Sequence, residues 1–214
     1  MKLSPSQVHQ FQDEGYVIVP HFFTPDEVMA LRLEMERLVA ADRGRNVMPP
    51  FTNKINYQIT PLADKSDLFR ELPTRPDVLT TVEQLIGSPA NLWLDQIFLK
   101  PAHVGAGNTW HIDNGRFKIS DPTKGVGMWI ALHDSSHANG TLELIPRSHL
   151  LPPASFIPPG QYMPVPPDES QTVAMIAEAG GVIFFNFGVL HCTRDNFSDQ
   201  DRAALVYHFC CQTG

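Results

Sequence analysis

From Asn91 onward the chain breaks into short β-prone segments, at 92–100, 109–113, 127–133, 141–145, 172–177, 181–186, 188–193 and 203–210, separated by turn-forming residues. So many short strands in succession restrict a chain to a sandwich or a barrel. Helical stretches come first. Ser4-Pro5 sets an N-cap before a proline at the first helical position, and the helix ends by Gly15. Thr24-Pro25-Asp26-Glu27 is a capping box for a second helix, with Val28, Leu31, Met35, Leu38 and Val39 at helical spacing. A third is expected over about Pro76–Ile86, with Gly87 just past its end. Tyr16–Val19 and Ile55–Ile59 are further β-prone runs, and Asn139-Gly140 reads as a hairpin turn. The expected architecture is mainly β with supporting helices, a double-stranded β-helix (jelly roll). It forms one domain over 1–214 with a helical N-terminal layer over about 1–90.

At 214 residues the chain can bury a substantial core. A formal charge of −7 argues against a general nucleic-acid binder, which would carry a basic patch or stripe. No apolar run is long enough for a membrane span, and the N-terminal residues have no signal-like apolar core. Three cysteines, Cys192, Cys210 and Cys211, have neither disulfide-framework nor zinc spacing, which points to a reducing compartment, the cytoplasm. Prolines cluster at 146–167, as expected of an ordered lid or crossing loop.

Trp110-His111-Ile112-Asp113 carries the chemistry. On an extended strand, side chains alternate, so His111 and Asp113 share one face while Trp110 and Ile112 turn into packing. A distant strand histidine, His191, completes a set of two imidazoles and one carboxylate, the arrangement expected of non-haem Fe(II) oxygenases. Arg202 follows His191 by eleven residues at the start of the last strand. A buried guanidinium suits the far carboxylate of a dicarboxylic co-substrate, and Thr193, on the His191 side of its strand, can add a hydroxyl donor. With nine histidines present, a His-x-Asp pair alone says little; its combination with His191, Arg202 and the strand pattern is what points to a metal site. His133 and His208 lie on strands at the barrel mouth and read as structural histidines.

The order of these motifs resembles the phytanoyl-CoA dioxygenase family of Fe(II)- and 2-oxoglutarate-dependent oxygenases. The similarity runs from Gly15–Pro20 and Thr24–Glu27 through Trp110–Asp113, Trp129–Leu132, Asn139–Leu142 and Ile145–His149 to His191 and Arg202. It implies that His111, Asp113 and His191 hold iron, that Arg202 and Thr193 bind 2-oxoglutarate, and that Trp129, Gln96 and Lys54 contact this co-substrate, with O2 as the oxidant. Arg147 stands where the family usually has glycine. Halogenating relatives replace the ligand carboxylate with a small residue, so an intact Asp113 implies hydroxylation.

Substrate choice is expected from the loops at 44–58, 101–109, 114–126 and 150–168. Arg116 and Lys118, a strand-spaced cationic pair, and Asn114, Tyr57 and Asn108 are the candidate contacts. With no obvious basic cluster to hold an acyl-CoA, a small polar metabolite is the expected substrate. Two other readings share the barrel. One is a cupin-like metalloprotein acting without 2-oxoglutarate, in which Arg202 has no role; the other is a non-catalytic metabolite-binding module.

Overall fold

Along the last strand, Arg202–Cys211, the side chains sort by parity. Ala203, Leu205, Tyr207 and Phe209 enter one apolar core, whereas Ala204 and Val206 enter another. The same division runs through Gly125–Ala131, where Val126, Met128 and Ile130 oppose Trp129 and Ala131, and through Val182–Asn186, where Val182 and Phe184 oppose Ile183 and Phe185. A sheet buried on both faces is apolar along most of its length, and these central strands are, with Asn186, Arg202 and His208 as buried polar exceptions.

The computed structural model describes residues 2–42, 45–47, 52–152, 166 and 168–211. In chain order the elements are α1 (Pro5–Glu14), β1 (Tyr16–Val19), α2 (Pro25–Asp42), β2 (Arg45–Asn46), β3 (Tyr57–Ile59), α3 (Asp67–Glu71), α4 (Pro76–Ile86), β4 (Ala90–Lys100), β5 (Asn108–His111), α5 (Asn114–Phe117), β6 (Gly125–Ala131), β7 (Leu142–Leu144), β8 (Val173–Ala174), β9 (Val182–Asn186), β10 (His191–Thr193) and β11 (Arg202–Cys211). A seven-stranded sheet in the order β1-β9-β6-β11-β4-β3-β2 faces a four-stranded sheet in the order β5-β10-β7-β8. All the strand pairings are antiparallel. This is the expected double-stranded β-helix. Among the described residues no helix is long and apolar enough to cross a membrane.

Helices cover the outer face of the large sheet. α2 buries Val28, Leu31, Met35 and Leu38 there, and α4 buries Val78, Val82, Leu85 and Ile86. Each such side chain contributes about 1.5–3 kcal/mol by leaving water. Capping follows the sequence pattern. Ser4 and Gln7 form a capping box on α1, and Thr24 and Glu27 bond reciprocally at the start of α2. Gly87 closes α4 at φ 75°, a left-handed value that glycine adopts without a Cβ clash.

Several expectations change. Asn139-Gly140 forms a turn but no hairpin: β6 belongs to the large sheet and β7 to the small one, so this segment carries the chain between sheets. Asn139 organises that crossing through its side chain, with Nδ2 donating to Asp134 O and Oδ1 accepting from Ser136 N. The strand expected over 109–113 stops at His111, and the predicted strand at 172–177 shortens to Val173–Ala174. Arg147 sits at φ 64°. That left-handed turn explains why glycine is usual there, and Arg147 N donates to Glu14 O (2.9 Å) to hold it. Most of the proline-rich 146–167 run lies outside the described residues, as do parts of the predicted substrate loops.

Candidate metal centre

His111 and His191 are register partners on β5 and β10, with ring centroids 4.1 Å apart. Asp113 reaches them differently from expected. It lies beyond the strand, with φ −61° and ψ −35°, at the N-cap of α5. The turn keeps its carboxylate on the histidine side: Oδ1 is 3.9 Å from His111 Nε2 and 3.7 Å from His191 Nε2. One ligand atom from each of the three residues lies within 4.8 Å of the other two.

Each imidazole is oriented by the backbone carbonyl two residues before it. His111 Nδ1 donates to Thr109 O (2.7 Å), and His191 Nδ1 donates to Val189 O (2.9 Å). That tautomer leaves both Nε2 lone pairs facing Asp113 Oδ1, as a metal requires. Burial, and then His111 beside it, pushes His191 down to about 4, so its ring is neutral at pH 7. Burial opposes ionisation of Asp113, but the surrounding imidazoles, His208 foremost, hold its carboxyl well below the usual carboxylate range.

These groups open into a cavity of about 530 Å³ between the sheets. Arg202, 1% exposed, lines it from β11. Its guanidinium lies 5.7 Å from the Trp129 ring centroid and donates through Nη2 to Gly140 O (2.6 Å), while its Nε has no hydrogen-bond partner among the described residues. Burial pushes Arg202 down to about 10, which leaves it charged. Two imidazoles and a carboxylate at one place, with a partly unsatisfied buried cation in the same cavity, fit a divalent metal plus an anion.

Of the residues singled out in the sequence, His111, Asp113, His191, Arg202, Thr193, Trp129, Gln96, Asn108 and Arg116 line this cavity. Four do not. Lys54 pairs with Asp195 (3.1 Å) and lies over the Phe197 ring, so its ammonium is engaged in the loop. Tyr57 packs against the helix-side core, and Asn114 bonds to the Ile119 backbone. Lys118, at φ 56°, ends α5; because the chain turns helical after Asp113, Arg116 and Lys118 do not share a strand face.

The sequence reading missed two groups. His208, read as structural, donates from Nε2 to Asp113 Oδ2 (3.1 Å) and lines the cavity. Lys100, 1% exposed, lines it beside Arg202. Parity was the signal available: His208 shares a face of β11 with Arg202, and Lys100 shares a face of β4 with Gln96. A wall of amides completes the lining. Gln58 donates to Gln96 Oε1 (2.6 Å) and Asn56 to Asn108 Oδ1 (2.9 Å).

Known proteins share this chain's sequence pattern and fold. The phytanoyl-CoA dioxygenase (PhyH) family profile matches residues 11–204. Phytanoyl-CoA dioxygenase domain-containing protein 1 of Rattus norvegicus is 25% identical, over 96% of this chain and 89% of its own length. Ectoine dioxygenase of Halomonas elongata is 27% identical, over 96% of this chain and 70% of its own. Among solved structures, the non-haem α-ketoglutarate-dependent carbocyclase SnoK superposes with a TM-score of 0.84 at 22% identity, covering 98% of this chain and 84% of its own. EctD from S. alaskensis with 2-oxoglutarate and 5-hydroxyectoine superposes at 0.80 and 22%, covering 98% and 76%. At these identities the superpositions show the shared fold.

Proposed function

The chain belongs to the phytanoyl-CoA dioxygenase family, and from that premise we propose that it is an Fe(II)- and 2-oxoglutarate-dependent dioxygenase that hydroxylates a C–H bond of a small metabolite. The observation that carries this reading is the convergence of His111, Asp113 and His191 within 4.8 Å, in the cavity that Arg202 lines. His111, Asp113 and His191 would hold the iron. Arg202 and Thr193 would hold the far carboxylate of 2-oxoglutarate, with Trp129 and Gln96 as walls.

When bound, iron and 2-oxoglutarate supply the activation of O2, coupled to decarboxylation of the 2-oxo acid to succinate and CO2. The protein's own part is positional. Thr109 O and Val189 O fix the tautomers of His111 and His191. Arg202 neutralises one end of the co-substrate and so orients the other. Gln58, Asn56 and Asn108 make one wall polar, and Arg116 adds a cation at the exposed side. About 530 Å³ must hold both co-substrate and substrate, which supports a small polar metabolite over a bulky acyl chain. Relatives named for ectoine oxidation support the same class.

The test is succinate release from 2-oxoglutarate with Fe(II) and O2, with a panel of small polar metabolites set against acyl-CoAs. Stimulation by a small metabolite is expected. Stimulation by acyl-CoAs alone would overturn the substrate class, and no succinate under any condition would overturn the enzyme reading.

A further inference from the structure

Lys100 is the cross-strand partner of Arg202. Like charges directly opposed across an antiparallel pair would destabilise the sheet, and both side chains are 1% exposed, so the pair can be doubly charged only with an anion beside it. The acidic groups that face Lys100 are engaged elsewhere: Asp195 pairs with Lys54 (3.1 Å) and Glu143 with Arg194 (2.7 Å). The remaining titratable neighbour, Cys192, is pushed up to about 12 by burial and stays a neutral thiol. A buried guanidinium and a buried amine side by side in one cavity wall, with the local carboxylates already paired, make a site for an incoming anion.

Hydrogen bonding says how Lys100 takes part. Its Nζ is 2.7 Å from Thr193 Oγ1, 2.6 Å from Arg194 O and 3.4 Å from Gly140 O. Asn108 N also donates to Thr193 Oγ1 (3.0 Å). A hydroxyl accepts two hydrogen bonds and donates one. When Lys100 is an ammonium, it and the Asn108 N–H fill both acceptor positions, and the hydroxyl hydrogen is left for the cavity that Thr193 shares with Arg202. When Lys100 is a neutral amine, its own lone pair takes that hydrogen, and the cavity loses a donor. Burial, and then Arg202, pushes Lys100 down to about 6, so the neutral form dominates at pH 7 until a negative charge arrives.

We propose that Lys100 is a positioning residue for the far carboxylate of the 2-oxo acid: the carboxylate binds together with a proton from solvent, which goes to the Lys100 amine and turns the Thr193 hydroxyl onto the ligand. This rests on the co-substrate reading above, and it adds a linkage between pH and co-substrate affinity that Arg202, charged throughout, cannot supply.

The test is anaerobic calorimetry of the Fe(II)-loaded protein at pH 8, in two buffers of different ionisation heat. The ligands are 2-oxoglutarate and 2-oxovalerate, the same chain length without the far carboxylate. Parent protein should take up about one proton with 2-oxoglutarate and none with 2-oxovalerate. Lys100→Met should abolish the uptake and raise the 2-oxoglutarate dissociation constant about tenfold or more, with 2-oxovalerate unaffected. Lys100→Gln, which keeps an N–H donor without a titrating charge, should regain part of the affinity and none of the uptake. In a Thr193→Val background, Lys100→Met should cost much less. Equal proton uptake in parent and Lys100 variants, unchanged 2-oxoglutarate affinity, or a full cost in the Thr193→Val background would each overturn the proposal. Failure of the parent to bind either acid would overturn the co-substrate reading itself.

Discussion

His208 Nε2 donates to Asp113 Oδ2 across 3.1 Å, while Asp113 Oδ1 faces His111 and His191. The two carboxylate oxygens are thereby given different partners, one in the protein and one toward the proposed metal. A buried carboxylate held at one oxygen cannot swing away from its neighbours, which keeps the ligand geometry in place before any metal binds.

Removing that grip should weaken iron. His208→Leu is expected to lower Fe(II) affinity about 10–100-fold while the fold persists. Anaerobic metal titration, with circular dichroism as the fold control, measures it. Equal Fe(II) affinity in parent and variant would reduce the His208 contact to packing.

Arg202 and Asp113 should separate in their effects. Asp113→Ala should abolish succinate formation and sharply weaken Fe(II) binding. Arg202→Ala should leave Fe(II) binding near parental while raising the 2-oxoglutarate dissociation constant by about tenfold or more, the scale of a lost charge-assisted bond. Metal and co-substrate titrations on the same samples decide; the reverse pattern would return Arg202 to a structural role.

Lys100 gives a pH dependence of stability in the absence of ligand. Its folded-state value lies near 6, against an ordinary 10.5, so between those limits the unfolded chain binds more protons than the folded one. Stability from this group therefore rises with pH across that window and is lowest at its acid end. Lys100→Met should flatten the trend and stabilise the protein by about 1–4 kcal/mol near pH 6.5. Urea denaturation of both proteins at pH 6.5 and 9 measures the difference, and parallel pH trends would contradict it.

Gly140 should tolerate no side chain. It sits at φ 74°, a Cβ there would meet Arg194 O at 2.2 Å, and its carbonyl accepts from both Lys100 and Arg202. Gly140→Ala should cost about 1–3 kcal/mol from backbone strain and also weaken 2-oxoglutarate binding, because the Lys100 and Arg202 side chains are both anchored on the displaced carbonyl. Thermal unfolding and co-substrate titration test the two effects independently.

Local rules carried much of this molecule. Capping residues and helical spacing marked α1, α2 and α4, and alternation marked most of the strands, because these signals depend only on neighbours along the chain. The short β2, set by pairing with β3, and the helix α5, set by a turn after Asp113, were beyond such rules. His111, Asp113, His191 and Arg202 were legible because their residue types and order suit one chemistry.

Partners across space were not legible. Nothing in the local sequence of Lys54 announced Asp195, distant in sequence, as its partner. His208 and Lys100 looked like ordinary strand residues until the pairing of β11 with β4, and the approach of α5, set one beside Asp113 and the other opposite Arg202. A sequence by itself determines which side chains a strand face can offer, since parity is a property of the local backbone. Only the tertiary structure decides what stands opposite that face, because register and sheet packing are settled by the burial of the whole core.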